Sequence, residues 1–303
     1  MREIKLTLGL CWLMFFGASI WNVYALANPP ESNYPISKLI QYGFTLQNKT
    51  NHILEKAELW VYAPVKQTSS QYCTNLEASH PYQLITDDLN NQVLHFTFSN
   101  LAPYETKVIV IKAQLNFSDT SVPLPVDTPD AYLQPEEYIE SNASEIYRLA
   151  AGFKTFELID TAQNIFHWVA DNIKYMGYVR NDRGALYALR NRQGDCTEFM
   201  YLFTALCRAK NIPARGLSGY VGSKDNILEP HDYHSWAEFY DSKAWKIADP
   251  QKNLFGQNQS SYITMRIIGP SPQNPMGKSH QFRVSGDGLT VTINKFHVSD
   301  NKF

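Results

Sequence analysis

The chain has 303 residues, of which 44% are hydrophobic and 18% are charged, and its formal net charge is −2. This length suits one large domain or two moderate ones, and the composition is that of a folded globular protein rather than a disordered one. Lys and Arg are scattered along the chain, so there is no basic face for nucleic acid and we set that class of partner aside.

Residues 1–27 have the pattern of a secretory signal peptide. A positive start is followed by an apolar run at 6–20, and an Ala-Leu-Ala triplet at 25–27 supplies the small residues that signal peptidase accepts. The pattern predicts cleavage before Asn28 and a secreted or periplasmic mature protein without membrane attachment. The alternative is an uncleaved N-terminal anchor, because the apolar run extended to Val23 reaches the ~18 residues that can span a bilayer.

Residues 28–122 are predicted to form an antiparallel β-sandwich. Short β-rich runs separated by clusters of Asn, Pro and Ser are typical of this class. They lie at 39–46, 57–63, 93–98 and 107–115. The proline-rich stretch at 123–137 predicts a linker, because proline lacks the backbone donor that helices and strands use.

Residues 138–303 are predicted to form an α+β domain. Asn142 followed by Glu145 suggests the start of a first helix, and apolar residues at three- and four-residue spacing predict two more, at about 156–175 and 196–210. Strand-like runs then occupy 214–221, 234–240, 244–248 and 261–268, and a final hairpin is expected through 281–284 and 289–293. The fold class is therefore α+β, with the sandwich first.

One cysteine has the features of a nucleophile. Cys196 follows Gly194 and Asp195 at the predicted start of the third helix. A helix N-terminus favours a thiolate and offers N–H groups to the oxyanion that forms when an amide carbonyl is attacked. After export the chain keeps Cys73, Cys196 and Cys207, an odd number, so in an oxidising compartment one thiol is left over. The alternative is an inert buried cysteine.

His234 and Asp249 are predicted to form a pair across two strands. If 241–242 are the tip of a hairpin, Tyr240 pairs with Lys243, and His234 then faces Asp249 directly, with both side chains on one face. A carboxylate there can fix the imidazole tautomer and stabilise the imidazolium. Alone, the pair is also compatible with a structural contact. Together with the cysteine it forms a Cys–His–Asp arrangement for acyl transfer.

The segment from about 156 to 253 resembles the core domain of the transglutaminase-like superfamily in its bacterial form. The similarity is carried by three blocks in order: the cysteine helix and following turn at 194–215, the histidine strand HSWAEFY at 234–240, and the aspartate strand WKIADP at 245–250. The resemblance implies a papain-like fold, a thioester on Cys196, a peptide or protein substrate, and no cofactor. The acceptor stays open: water would make a protease or amidase, and a lysine amine a transglutaminase.

The side chains that assist the nucleophile are less defined. Tyr175, Tyr178 and Gln193 are candidates for stabilising the oxyanion, with Tyr178 preferred, and Trp236 is a candidate for the substrate groove or the core. The spacing around His231 does not converge on a metal site and no acidic calcium loop is evident, so no metal is expected. The alternative function is a non-catalytic peptide- or protein-binding module that retains the fold.

Overall fold

A computed structural model describes residues 30–124, 129–222, 225–269 and 271–300. The predicted signal peptide and its cleavage site lie outside the described residues. Within those ranges, no helix combines the length and the apolar character needed to cross a membrane.

The first part of the chain forms six strands. They are β1 (Ile36–Asn48), β2 (Leu54–Ala63), β3 (Gln71–Ala78), β4 (Gln83–Thr86), β5 (Gln92–Leu101) and β6 (Thr106–Phe117). In β6 every second residue from Ile109 to Phe117 is buried, because alternate side chains of a strand point to opposite faces. Each strand therefore presents one apolar face to a core.

The helices follow the linker. In chain order the elements are α1 (Ser144–Ala150), α2 (Leu158–Asn172), β7 (Lys174–Tyr175), α3 (Ala185–Asn191), β8 (Gln193–Gly194) and α4 (Cys196–Ala209). The predicted second and third helices correspond to α2 and α4. Asn142 does not cap the first helix as predicted: the N-cap is Ala143, without a side-chain hydrogen bond. The short helix α3 was not predicted.

The remaining strands are β9 (Ala214–Val221), β10 (Asn226–Leu228), β11 (Tyr233–Tyr240), β12 (Trp245–Asp249), β13 (Leu254–Phe255), β14 (Tyr262–Ile268), β15 (Phe282–Ser285), β16 (Leu289–Ile293) and β17 (Phe296–Asp300). Five of them form one sheet in the order β13-β12-β11-β9-β14. Helix α4 packs on this sheet, where the rings of Phe203 and Phe239 are 6.3 Å apart. This helix and sheet are the α+β core that the sequence predicts.

The sandwich contains strands from both ends of the chain. One sheet has the order β10-β17-β1-β6-β3 with β16 also on β1, and the other has the order β15-β2-β5-β4. The predicted C-terminal hairpin is therefore wrong, because β15 pairs with β2 and β16 pairs with β1 in different sheets. An alternating pattern shows that a strand has a buried face, but it does not show which neighbour supplies its hydrogen bonds.

This pairing also corrects the predicted domain boundary. Residues 282–300 were assigned to the α+β domain at 138–303, but their strands complete the sandwich. The α+β domain is thus an insertion between β6 and β15, and its strand β10 joins a sandwich sheet by pairing with β17. A direct polar contact joins the two parts, since Lys38 Nζ donates to the carbonyl of Ser260 at 2.7 Å.

Candidate active site

The N-terminus of α4 is built around Cys196, its first residue. Asp195 is the N-cap, and its Oδ1 accepts the N–H of Thr197 at 2.8 Å, while Glu198 Oε2 accepts the N–H of Asp195 at 2.9 Å. This reciprocal capping box uses the N–H groups of Thr197 and Glu198. It leaves the N–H of Cys196 itself beside the partly buried thiol.

The same two carboxylates hold the loop between β7 and α3 against the helix. The side chain of Glu198 is 1% exposed and accepts two hydrogen bonds from Arg183, one from its backbone N–H at 3.0 Å and one from its guanidinium Nη2 at 2.7 Å. Asp195 Oδ2 accepts the N–H of Val179 at 3.0 Å. Burial raises the pKa of Glu198, although Arg183 opposes the rise. A Cβ on Gly194 would lie 2.4 Å from Glu198 Cβ, so glycine is needed for the cap to close. Sequence reasoning did not identify this clamp.

His234 and Asp249 are in contact. His234 Nε2 lies 2.6 Å from Asp249 Oδ2, and both side chains are buried. The same oxygen accepts the hydroxyl of Tyr262 at 2.9 Å, and Oδ1 accepts the N–H of Lys252 at 3.1 Å. Burial and the charge of Asp249 raise the pKa of Tyr262, so the phenol stays protonated and donates. Three donors therefore fix the carboxylate.

The imidazole also interacts with the thiol. Burial lowers the pKa of His234, but hydrogen bonds to Asp249 and Cys196, together with their charges, raise it to about 9. Since Asp249 occupies Nε2, Nδ1 is the nitrogen left to take the proton of the thiol. The structure therefore brings the three residues together in the order thiol, imidazole, carboxylate. This arrangement is suited to nucleophilic attack on a carbonyl.

The register that brings His234 and Asp249 together differs from the predicted one. Tyr240 pairs with Trp245. In this register the residue opposite Asp249 is Trp236 rather than His234. The turn is two residues longer than expected. A shift of two residues keeps Asp249 on the predicted face, and diagonal neighbours about 7–8 Å apart are within reach of such side chains. The facing geometry was wrong, yet the two side chains meet.

A known protein family matches the segment of the chain that contains this site. Residues 148–250, which contain all three side chains, match the family model of the transglutaminase-like superfamily. The chain carries a transglutaminase-like domain.

Two solved structures show how far the likeness extends. A candidate cysteine protease from Cytophaga hutchinsonii is 17% identical with a TM-score of 0.60, over 88% of this chain and 98% of that one. The periplasmic domain of TgpA from Pseudomonas aeruginosa, bound to ethylmercury, is 14% identical with a TM-score of 0.38, over 73% and 91%. The first likeness extends beyond the transglutaminase-like domain and shows a shared fold. No curated protein matches the sequence.

The structure separates the two tyrosines proposed to assist the nucleophile. Tyr175 on β7 pairs with Gly194 on β8. Burial raises the pKa of Tyr175, and the charges of Cys196 and Asp195 raise it further. Tyr178, preferred from the sequence, is 83% exposed. Of the two tyrosines, Tyr175 is therefore the one on a strand that pairs with the residues preceding Cys196.

The other two candidates are engaged elsewhere. The amide of Gln193 donates to the hydroxyl of Tyr187 at 3.4 Å. Trp236 is fully buried and packs against Tyr262 with ring centroids 4.9 Å apart, so it is a core residue and does not line an open groove. Trp236 shares a face with His234, and the centroids of their rings are 6.2 Å apart.

The remaining thiols differ from Cys196 in their surroundings. All three cysteines in the described ranges are free, but Cys73 and Cys207 are buried. Burial raises the pKa of Cys73 to about 11 and that of Cys207 well above its ordinary value, which disfavours their thiolates. Over those same ranges no group of three or more His, Cys, Asp or Glu side chains could hold a metal ion.

Proposed function

We propose that this protein is an exported, cysteine-dependent acyl-transfer enzyme that acts on peptide or side-chain amides through a thioester on Cys196. The observation that carries the proposal is the position of His234, which interacts with Cys196 while its Nε2 lies 2.6 Å from Asp249. The match to the transglutaminase-like superfamily supports cysteine-dependent chemistry. The N-terminal sequence pattern supports export.

In the first half-reaction, His234 Nδ1 takes the proton of Cys196 and the thiolate attacks the carbonyl carbon. The carbonyl oxygen becomes an oxyanion, for which the N–H of Cys196 and the hydroxyl of Tyr175 are the donors at hand. When the intermediate collapses, the C–N bond breaks and His234 gives its proton to the departing amine or ammonia. The acyl group stays on sulfur as a thioester.

In the second half-reaction, water or an amine attacks the thioester. His234 takes the proton of the attacking group, and Cys196 leaves as a thiolate that the imidazolium stabilises. Water yields an acid, as in a protease or amidase, and an amine yields a new amide, as in a transglutaminase. Asp249 acts through His234 by holding its tautomer, and Tyr262 acts through Asp249, so both are positioning residues.

Iodoacetamide provides the test. At neutral pH and under native conditions, intact-mass analysis should find one rapid adduct, located on Cys196 by peptide mapping. The buried Cys73 and Cys207 serve as internal controls. Cys196→Ala should abolish the adduct and any trapped acyl-enzyme while leaving the circular dichroism spectrum unchanged. If Cys196 reacts no faster than the buried thiols, the enzyme proposal fails and a non-catalytic peptide-binding module becomes the better interpretation.

A further inference from the structure

Arg266 on β14 is a partly buried cation without an acidic partner. Over the described ranges no Asp or Glu lies within ion-pair distance of its guanidinium, which instead lies 5.6 Å from the ring centre of Tyr62. Arg208 and Arg215 of the same domain are each bound to a glutamate at 2.7 Å. Because desolvating a charge without a partner is costly, an unpaired arginine of this kind is suited to binding an anion from outside.

A polar cavity lies beside this guanidinium. It has a volume of about 190 Å³, far above the roughly 10–15 Å³ that holds one water. Its polar lining includes Tyr62, Arg266, Ser271 and Asn274. The carboxylate of Asp87 is bonded to the lining residue Asn274. Its oxygens accept N–H groups of residues 89 and 91 and of Asn274. A second carboxylate, Asp88, accepts the hydroxyl of Ser271. The cation of Arg266 therefore lies among hydroxyl and amide groups, two of which already donate to Asp87 and Asp88.

A β-bulge orients Arg266 towards the side of the sheet on which α4 packs. The pairing of β14 with β9 is interrupted between Thr264 and Arg266, and such a bulge reverses the alternation of side chains. Tyr262 contacts Asp249 on one face, whereas Ile268, two residues beyond Arg266, packs against the core under α4. Arg266 therefore shares the face of the helix that begins at the nucleophile.

The pairings of the sheet give the distance between the backbones of Arg266 and Ser235. Arg266 pairs with Ser218, and Ser218 pairs with Ser235. Ser235 is next to His234 in the chain, although the His234 side chain points to the other face and meets Asp249 there. Two strand spacings amount to about 10 Å, which an extended peptide covers in about three residues. The electrostatics agree with a position of Arg266 near α4. Burial raises the pKa of Tyr201, which lies on α4 after Cys196, and the positive charge of Arg266 lowers it.

We propose that this cavity binds a carboxylate of the substrate about three residues from the reacting carbonyl, with Arg266 as the principal contact. The planar guanidinium matches a carboxylate in a two-point hydrogen bond. The Tyr62 hydroxyl and an N–H of Asn274 already donate to Asn274 Oδ1 and Asp87 Oδ2, so Arg266 supplies both the charge and the hydrogen bonds. The carboxylate belongs to an acidic side chain or to the C-terminus of a peptide. The inference rests on the proposed function, and it gives the sandwich, through Tyr62, a part in substrate selection.

Matched peptide electrophiles test the proposal by their second-order rates of Cys196 alkylation. One pair carries Glu or Gln three residues from the reactive carbon, and a second pair has a free or an amidated C-terminus at that distance. We expect the parent to prefer the carboxylate in at least one pair by about tenfold or more. Arg266→Gln should remove the preference, Arg266→Lys should retain part of it, and the iodoacetamide rate should be the same in all three proteins.

A second measurement does not depend on reactivity. In Cys196→Ala protein, NMR titration with the corresponding unreactive Glu and Gln peptides should show the same preference, and the additional Arg266→Gln change should abolish it. Equal behaviour of acid and amide peptides in both assays overturns the carboxylate site, as does a preference that survives Arg266→Gln. Slow iodoacetamide labelling with an intact carboxylate preference would instead refute the acyl-transfer function alone.

Discussion

Asp249→Asn removes the charge next to His234 with almost no change in shape. The carboxylate accepts three donors, from His234, Tyr262 and Lys252. Asparagine offers one acceptor oxygen, so its amide group must face at least one of these donors. A buried polar group left unsatisfied costs about 1–3 kcal/mol, and breaking a buried ionic pair costs about 3–5 kcal/mol. Since domains are stable by about 5–15 kcal/mol, we expect a weakened but folded protein.

The effect on the thiol follows from the pKa of His234. Burial lowers that pKa and Asp249 is the main opposing group, with a net value of about 9. Without the carboxylate, burial is opposed only by the interaction with Cys196, so the pKa of His234 should fall towards its ordinary value of about 6.5. A pKa near 6.5 in place of about 9 would reduce the tendency of the imidazole to hold the thiol proton by roughly 10²-fold. This loss is smaller than the ~10⁴ in turnover for the comparable serine triad, because a thiol is the better nucleophile.

The rate of Cys196 alkylation by iodoacetamide between pH 5 and 9 measures this change. The Asp249→Asn profile should lie at higher pH than that of the parent, because without the carboxylate the imidazolium that accompanies the thiolate is less stable. Asp241→Asn is the control, since Asp241 Oδ1 accepts the N–H groups of Lys243 and Ala244 in the β11–β12 turn and an asparagine oxygen can do the same. An unchanged Asp249→Asn profile, or a shifted Asp241→Asn profile, would refute the reasoning.

Three further predictions concern other parts of the protein. Tyr262→Phe deletes one donor to a buried carboxylate, so urea unfolding should show a loss of about 1.5–3 kcal/mol and alkylation should slow; a variant equal to the parent in both would show that Tyr262 does not position Asp249. Gly219→Ala places a Cβ 2.0 Å from the carbonyl oxygen of Ile263, so the urea midpoint should fall sharply, and an unchanged midpoint would contradict the close approach of β9 and β14. N-terminal sequencing of the exported protein should find Asn28 first, and Met1 retained in membranes would favour the anchor.

The residues of the candidate site could be found from the sequence because each belongs to a local pattern. Cys196 is placed by the start of an amphipathic helix, and His234 and Asp249 by two strands joined by a short turn. The period of a strand is two residues, so an error of two in the register leaves both side chains on the predicted face. The contact between His234 and Asp249 is therefore insensitive to the length of the turn that was misjudged.

Features that depend on sheet order were not predictable in the same way. Tyr262 reaches Asp249 only because β14 lies next to β9, and the spacing of residues along the chain does not predict that these strands are neighbours. The bulge that turns Arg266 has no clear signal among the apolar residues around it. Strands β15 and β16 likewise look like a local hairpin, although they add to strands more than 200 residues earlier in the chain.

The sandwich is joined to the site through the middle of β14. Thr264 donates its N–H to Gln71 Oε1 at 2.8 Å, and its carbonyl accepts Gln71 Nε2 at 3.0 Å and the N–H of Val65 at 2.9 Å. Thr264 lies two residues from Tyr262 and two from Arg266, so the sandwich fixes the backbone between the side chain that holds Asp249 and the cation of the cavity. Strands β15 to β17 complete that sandwich after the α+β insertion. The sandwich that supports the site is therefore complete only when both ends of the described chain have folded into it.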